Sequence, residues 1–335
     1  MTLHRLTLGP RSPWRTPWQA DTLLGSLCAV CARVHGPDVL RDRLIEPMLD
    51  GNPPFVLSDA FPGDLLPMPV WLRLVHWPGD VDRKLLKRAR WMSPSAFNLA
   101  RAGGVPPIAD LLSDEAVFLH HTRQHNTLDR ATDATLTAEQ GGGLYNRPET
   151  LLLEPDHHLS LYFRILQPDT ADLLLDLLHD LSLTGFGADV ATGRGQFDIQ
   201  QDPEPVPELD APPDTSGGAS QNIANAVISL STFQPGPSDP TLGLWESFPK
   251  FGKIGPDLGL TDVRKNTLIL FKPGACFHAD TPAPQKGWLG RAVPMTQLLP
   301  SDSAQTLAQR GINLIHPAFG LTVPARLDLE FRANA

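Results

Sequence analysis

The sequence predicts an α+β protein in two parts, on three observations. Its 335 residues exceed one small module and fit two domains of ordinary size, each with a core of its own. Strand-like segments of period two alternate along the chain with leucine-rich segments of helical spacing. A stretch at 202–220, rich in Pro, Asp, Glu, Gly and Ser, has almost nothing to bury and reads as a linker. The division is therefore 1–201 and 221–335.

In chain order, residues 2–8 alternate as a strand, with Leu6 and Leu8 on one face and Arg5 and Thr7 on the other. The loop Pro10-Arg11-Ser12-Pro13-Trp14-Arg15-Thr16-Pro17 follows. Asp21 or Thr22 suits a helix N-cap, Leu23, Leu24, Leu27, Cys28 and Cys31 recur at helical spacing, and Gly36-Pro37 stops the helix. Strand, loop and helix open either a ferredoxin-like βαββαβ unit or an α/β unit. Extended pieces are expected at 55–57 and 70–75, and a short basic helix at 82–90. An insertion at about 78–150 ends in two polar extended stretches around Gly141-Gly142-Gly143, read as a protruding hairpin. A strand is expected at 159–166. Asp169 or Thr170 then caps a helix with Leu173, Leu174, Leu177, Leu178 and Leu181 on one side. A glycine-rich loop and a strand at 196–200 complete this half. Beyond the linker, strands are expected at 223–230, 267–271, 292–294 and 321–331.

Composition narrows the class. Hydrophobic residues at 41% specify a globular chain, and 34 prolines specify many loops and short elements. No apolar run reaches membrane-spanning length, and the first residues lack the apolar core of a signal peptide, so cytoplasmic residence is expected. Three cysteines give no disulfide framework. A net charge of −9 argues against a protein that grips nucleic acid over its whole surface. Residues 1–100, however, carry 12 Lys/Arg against 9 Asp/Glu, whereas 101–200 carry 6 against 15. A basic surface must come mainly from the N-terminal part.

The glycine-rich loop is the most informative motif. Gly185, Gly187, Gly193 and Gly195 bracket Arg194. Glycines permit positive φ and leave amides open to phosphate oxygens, and Arg194 adds a charge-assisted contact. A P-loop or a Rossmann loop runs from strand to helix; this loop runs from helix to strand, with no lysine after Gly193. A tight connection without ligand is the plain alternative. Trp14 and Trp18 flank Arg15 and are candidates for stacking on unpaired bases, the alternative being packing on their own domain. Thr16 and Gln19 are candidate partners for base edges, and Arg11 and Arg15 for phosphates. His121 and His125 have the spacing of a zincin helix without its glutamate, so no metal is expected. Cys28 and Cys31 form a lone CxxC on an apolar helix face, read as core. Asp59 and Asp129 are read as structural. The basic run Arg83 to Arg90 is a solvated face or a contact with RNA or an acidic partner.

Several of these segments together resemble a known family. Gly185-Phe186-Gly187 with Gly193-Arg194-Gly195-Gln196-Phe197 resembles the glycine-rich loop of the RAMP superfamily of CRISPR proteins. The stretch from Pro13 to Gly25 resembles the opening of subunit four of the type III-A (Csm) effector. Residues 54–62, Leu66-Pro67-Met68-Pro69, His125-Asn126-Thr127-Leu128-Asp129-Arg130-Ala131-Thr132, Gly143-Leu144-Tyr145, Lys272-Pro273-Gly274-Ala275 and Pro317-Ala318-Phe319-Gly320 are similar to its later landmarks. One departure is Ala188-Asp189-Val190-Ala191-Thr192, acidic where such loops often carry Lys or Arg.

The resemblance implies two ferredoxin-like (RRM-like) domains with a protruding hairpin insertion. It implies a non-catalytic subunit holding the 5′ handle of the CRISPR RNA (crRNA). The implied neighbours are the large polymerase-like signature subunit and the backbone RAMP subunit, with no cofactor. Arg123, His125, Asn126 and Arg130 join the loop residues as expected RNA contacts. Two rivals stand beside this reading: a metal-independent endoribonuclease with His125 as general acid or base beside Arg123 or Arg130, and a pure protein–protein scaffold.

Overall fold

A computed structural model of the chain describes residues 2–77, 82–137, 142–154, 157–213, 224–255, 263–279 and 286–327, with Glu139 and Leu258. The first residues of the expected insertion (78–81), Gly141, residues 214–220 of the expected linker, Ile223 and 328–331 lie outside them.

The first half opens with strand β1 (Leu3–Pro10), helix α1 (Ala20–Val34) and strand β2 (Phe55–Pro62). Helix α1 forms because Leu23, Leu24, Leu27, Val30 and Cys31 make one buried stripe. Its N-cap is Gln19, not Asp21 or Thr22; Asp21 is instead buried against the second half. The insertion follows: β3 (Leu66–Pro67), α2 (Arg83–Arg88), β4 (Ala89–Met92), α3 (Pro94–Arg101), β5 (Leu111–Ser113), β6 (Phe118–Asn126) and β7 (Leu144–Leu152). Val70–Arg73, expected extended, is a turn of 3-10 helix started by Pro69. Next come β8 (Leu159–Ile165), α4 (Ala171–Thr184), β9 (Phe197–Ile199), β10 (Glu204–Pro205) and α5 (Pro207–Asp210).

The second half contains β11 (Ala226–Ser229), β12 (Gly243–Leu244), β13 (Ser247–Lys250), β14 (Leu268–Phe271), β15 (Cys276–His278), β16 (Trp288–Pro294), α6 (Met295–Leu298), α7 (Ser301–Gln309) and β17 (Ile315–Ala325).

Both main sheets are antiparallel throughout. The first has the order β10-β1-β8-β2, with β9 also on β1; the second has β12-β15-β11-β17-β16. Strands β6 and β7 form the expected hairpin, from the pair Phe118–Leu152 to the pair Asn126–Leu144.

Two expectations about the halves need correction. Residues 204–211 are not linker. Glu204 pairs with Arg5 in the sheet, Val206 and Leu209 are buried, and Arg101 holds the carbonyls of Glu208 and Ala211. Nor do the halves have wholly separate cores. The largest apolar cluster runs from Leu6, Leu27 and Phe61 to Ile228, Leu230, Phe319 and Leu321. A second cluster, Leu270, Leu298, Leu307 and Ala318 among it, belongs to the second half. Polar ties cross the seam as well. Asp59 N donates to Leu230 O at 3.0 Å, Ser231 Oγ to Leu57 O at 2.7 Å, and buried Arg164 to Gly287 O at 2.6 Å.

Candidate nucleic-acid interface

The proline-rich loop is stitched to the glycine-rich loop and to the foot of the hairpin. Arg11 N donates to Gln196 O at 2.8 Å, and Gly195 N to Pro13 O at 2.9 Å. Trp14 and Thr150 exchange backbone hydrogen bonds at 3.0 and 2.8 Å, and Ala188 N donates to Thr16 Oγ1 at 2.9 Å. This anchoring decides the tryptophans. Trp14 and Trp18 are each only 5% exposed. Trp18 packs on Phe186 (4.4 Å between centroids) and Phe197 (5.1 Å), and Trp14 meets Phe118 edge-on. The expected stacking of these indoles on bases is therefore corrected: aromatic neighbours distant in sequence draw them into the core.

The glycine-rich loop needs its glycines. Gly185, Gly187, Gly193 and Gly195 all have positive φ, and a Cβ on Gly195 would land on the Phe186 carbonyl oxygen. The expectation of bare amides is only partly met. Gly185 N is used by Leu181 O, Gly193 N by Val190 O and Gly195 N by Pro13 O. Gly187 N has no partner among the described residues. The exposed part of the turn is Ala188, Ala191, Thr192 and Gly193.

Arg194, expected as a phosphate ligand, is turned inward. Its Nε donates to Glu149 Oε1 at 2.6 Å, and the two side chains are 12% and 2% exposed. The pair locks the loop to β7. Although burial pushes the Glu149 carboxyl up, Arg194 holds it below the usual range.

The hairpin presents one cationic and aromatic face. Antiparallel register sets His121 opposite Glu149, Arg123 opposite Arg147 and His125 opposite Tyr145. His125 stacks on Tyr145 (5.5 Å, 14°), and the Arg147 guanidinium lies 5.0 Å from the Tyr145 ring centre. His121 and His125 stand two pleats apart on a strand, roughly 13 Å along it, rather than on one helical face. Asn126 donates to Thr135 Oγ1 at 3.0 Å. Asp129 builds the tip turn by accepting from Ala131 N and Thr132 Oγ1, beside exposed Arg130.

Between the hairpin foot, the proline-rich loop and the second half lies a cleft of about 490 Å³. Trp14, Arg15, Trp18 and Gln19 reach it from the proline-rich loop; Arg73, Arg90 and Trp91 come from the insertion, and Glu246, Phe248 and Lys272 from the second half. Sequence reasoning missed Arg73, Trp91 and Lys272 as site residues because their convergence depends on the meeting of both halves.

Arg73 donates to the carbonyls of Leu86 (2.7 Å) and Ala89 (2.8 Å) and pairs with Glu246 at 2.9 Å; burial lowers its pKa. Glu246 also meets Lys272 at 3.2 Å; these two cations outweigh burial and hold it below the usual carboxylate range. Arg90 donates to the carbonyls of Lys87 and Ala89, each at 3.1 Å, and its charge adds to the field that holds Glu246 low. Trp18 Nε1, buried beside the cleft, is a donor without an acceptor there. Gln19 Oε1 receives Lys250 Nζ at 2.8 Å, which ties the start of α1 to β13. Exposed Arg11 lies outside, paired with Asp198 at 3.2 Å.

No protein-family model and no curated protein matches the sequence. Solved structures do. A chain in the crystal structure of a Csm1-Csm4 cassette in complex with pppApA superposes with TM-score 0.58 at 15% identity, over 98% of this chain and 99% of that one. The cassette in complex with cA4 gives 0.59 at 15% identity, over 97% and 98%. The Csm3-Csm4 subcomplex of the type III-A CRISPR-Cas interference complex gives 0.57 at 12% identity, over 96% and 99%. At such identities the likeness is one of shape, and it extends from one end of the chain to the other. Csm4 is the subunit these assemblies share by name, and the protein has the fold of a chain found in them.

Proposed function

We propose that this chain is a non-catalytic, RNA-binding RAMP subunit of a type III CRISPR antiviral effector. It captures the 5′ handle of the crRNA and joins the large signature subunit to the backbone subunit. The fold supports membership: the likeness covers nearly the whole chain and is to assemblies named for Csm1, Csm3 and Csm4. The strand orders support two ferredoxin-like units. The first half runs β1-α1-β2-β8-α4-β9 with spatial order β9-β1-β8-β2, and the second repeats that order as β17-β11-β15-β12 with β16 outside.

The observation that carries the RNA reading is the cleft. Arg15, Arg73, Arg90 and Lys272 line a space of about 490 Å³ walled by aromatic rings, with Glu246 paired to Arg73 and Lys272 and the unpartnered Trp18 Nε1 at its edge. Single-stranded RNA is recognised by this combination of cations, apolar walls and a few polar groups. His125 stacks on Tyr145.

The test is RNA retention by the full chain, purified with its neighbouring subunits, using labelled RNA with the repeat-derived handle or a scrambled one. Protection of the handle is expected, with the RNA left intact. Retention should fall about tenfold or more in the Arg90→Glu, Lys272→Glu double variant, because a hydrogen bond to a charged group is worth about 1.5–3 kcal/mol. Equal retention of both RNAs would sink the handle reading. Cleavage abolished by His125→Ala would replace it with the nuclease.

A further inference from the structure

The acid in the glycine-rich loop is spent on two arginines from other segments. Asp189 Oδ2 receives Arg15 Nη1 at 2.5 Å, and Oδ1 receives Arg147 Nη1. Arg15 comes from the proline-rich loop and Arg147 from β7, so three segments meet on one carboxylate. Two guanidinia converging on one oxyanion is also how proteins hold phosphate. We propose that Arg15 and Arg147 form a phosphodiester site for the RNA backbone, occupied in the free protein by Asp189 as an internal stand-in for phosphate. The inference rests on the RNA-binding reading and adds to it a named site and its resident competitor.

Three further observations point the same way. Asp189 has φ 63° and ψ 24°, a left-handed conformation uncommon for residues other than glycine. Its side chain is held by the two arginines and not by a cap on the turn that follows. Second, Arg123 stands directly opposite Arg147 on the hairpin, a like-charge pairing that strands ordinarily avoid and that an added anion relieves. Third, the two carboxylates near this face differ in accessibility. Glu149 is 2% exposed and locked to Arg194, so moving it would strand a buried charge. Asp189 is 20% exposed at the rim of an exposed turn, and rotation of its side chain delivers it to water.

The arrangement sets a threshold. A free phosphate group must displace a carboxylate that is already tethered beside both arginines. An RNA strand held at neighbouring positions, with a base against Tyr145 or in the cleft, brings its phosphate at high local concentration and prevails. The acidic loop thus makes the site responsive to a strand in register and indifferent to stray anions.

The experiment uses the full chain with its subunits and handle RNA across a salt series. Asp189→Asn keeps the left-handed turn and removes the charge. It should bind about tenfold more tightly at low salt, the worth of one charge-assisted hydrogen bond. Its dependence on salt should steepen by roughly 0.7 in logarithmic slope, because the free protein no longer neutralises the two arginines with its own carboxylate. The Asp189→Asn, Arg147→Gln double variant should lose the gain, which separates a freed arginine from a loosened loop. If the wild-type protein binds handle RNA and Asp189→Asn binds equally or more weakly, the stand-in is refuted and the RNA-binding reading survives. If neither protein binds RNA, both fall together.

Discussion

The Asp59 carboxylate, carried by β2, accepts the Thr232 amide at 2.7 Å on one oxygen and the Thr232 hydroxyl at 2.7 Å on the other. The first oxygen also takes the Ala20 amide at 2.8 Å, so one side chain joins the start of α1 to the second half.

Burial pushes the Asp59 carboxyl up to about 6, against the hydrogen bonds from Thr232 and Ala20, from an ordinary 3.8. Between those two values the native state holds a proton that the unfolded chain has released, so stability falls as pH rises through the window. Asparagine at this position can accept both amides and donate to the Thr232 hydroxyl. The melting temperature of Asp59→Asn relative to wild type should therefore climb from pH 4 to pH 7. A flat difference across that range would show that Asp59 does not titrate there.

A second tie behaves in the opposite sense. Fully buried Asp21 accepts Lys250 Nζ at 2.6 Å and lies 3.0 Å from His316 Nε2. Burial opposes ionisation of Asp21, yet His316 and Lys250 hold its pKa below the usual value; burial lowers that of His316. Both groups favour the native state at neutral pH, and both contributions fade as pH falls, that of His316 below its ordinary 6.5. Asp21→Ala should cost about 3–5 kcal/mol in urea unfolding at pH 7, since it leaves the largely buried Lys250 ammonium without its carboxylate. Its deficit should shrink as pH falls below 3.8, where the unfolded Asp21 carboxyl takes up a proton.

Two glycines of one loop, Gly193 exposed and Gly195 buried, should separate sharply. Gly195→Ala drives a methyl group into the Phe186 carbonyl in a left-handed backbone and should cost about 3 kcal/mol. Gly193→Ala meets open space and pays only for its φ of 79°, about 1 kcal/mol. Denaturant midpoints of the two variants check the order.

Trp18→Ala should destabilise by about 3–5 kcal/mol, the cost of emptying an aromatic core site. Trp18→Phe should lose less stability and keep most RNA retention per folded molecule. Calorimetry paired with RNA binding decides the matter: a Phe variant of wild-type stability that no longer retains RNA would make Trp18 a base platform after all.

What is legible in the sequence is what local pattern encodes. Leu174, Leu177, Leu178 and Leu181 announce α4 because they form one buried stripe. The hairpin is visible because glycines separate two polar, extended stretches. Residues 204–211 escape because a two-residue edge strand and two anchors, Val206 and Leu209, suffice to fix a segment whose composition otherwise reads as linker. Trp14 and Trp18 look free because the rings that bury them, Phe118, Phe186 and Phe197, lie far along the chain. The cleft is invisible for the same reason: no local signal says that Lys272 will stand near Arg73. Asp189 stands out as a departure, but its two arginines come from separate segments and only the folded chain pairs them.

Strand β17 follows every other labelled element, yet both halves depend on it. It lies between β11 and β16 in the second sheet, its His316 reaches α1, and its Leu321 and Val323 enter the cluster shared with the first half. A ribosome delivers α1 early and β17 late. Until then Asp21 has a carboxylate to bury without its histidine, and the apolar side of the first half stands open to water. The growing polypeptide therefore cannot complete its first half before its second, and truncation ahead of β17 yields a sticky intermediate in place of a smaller native protein.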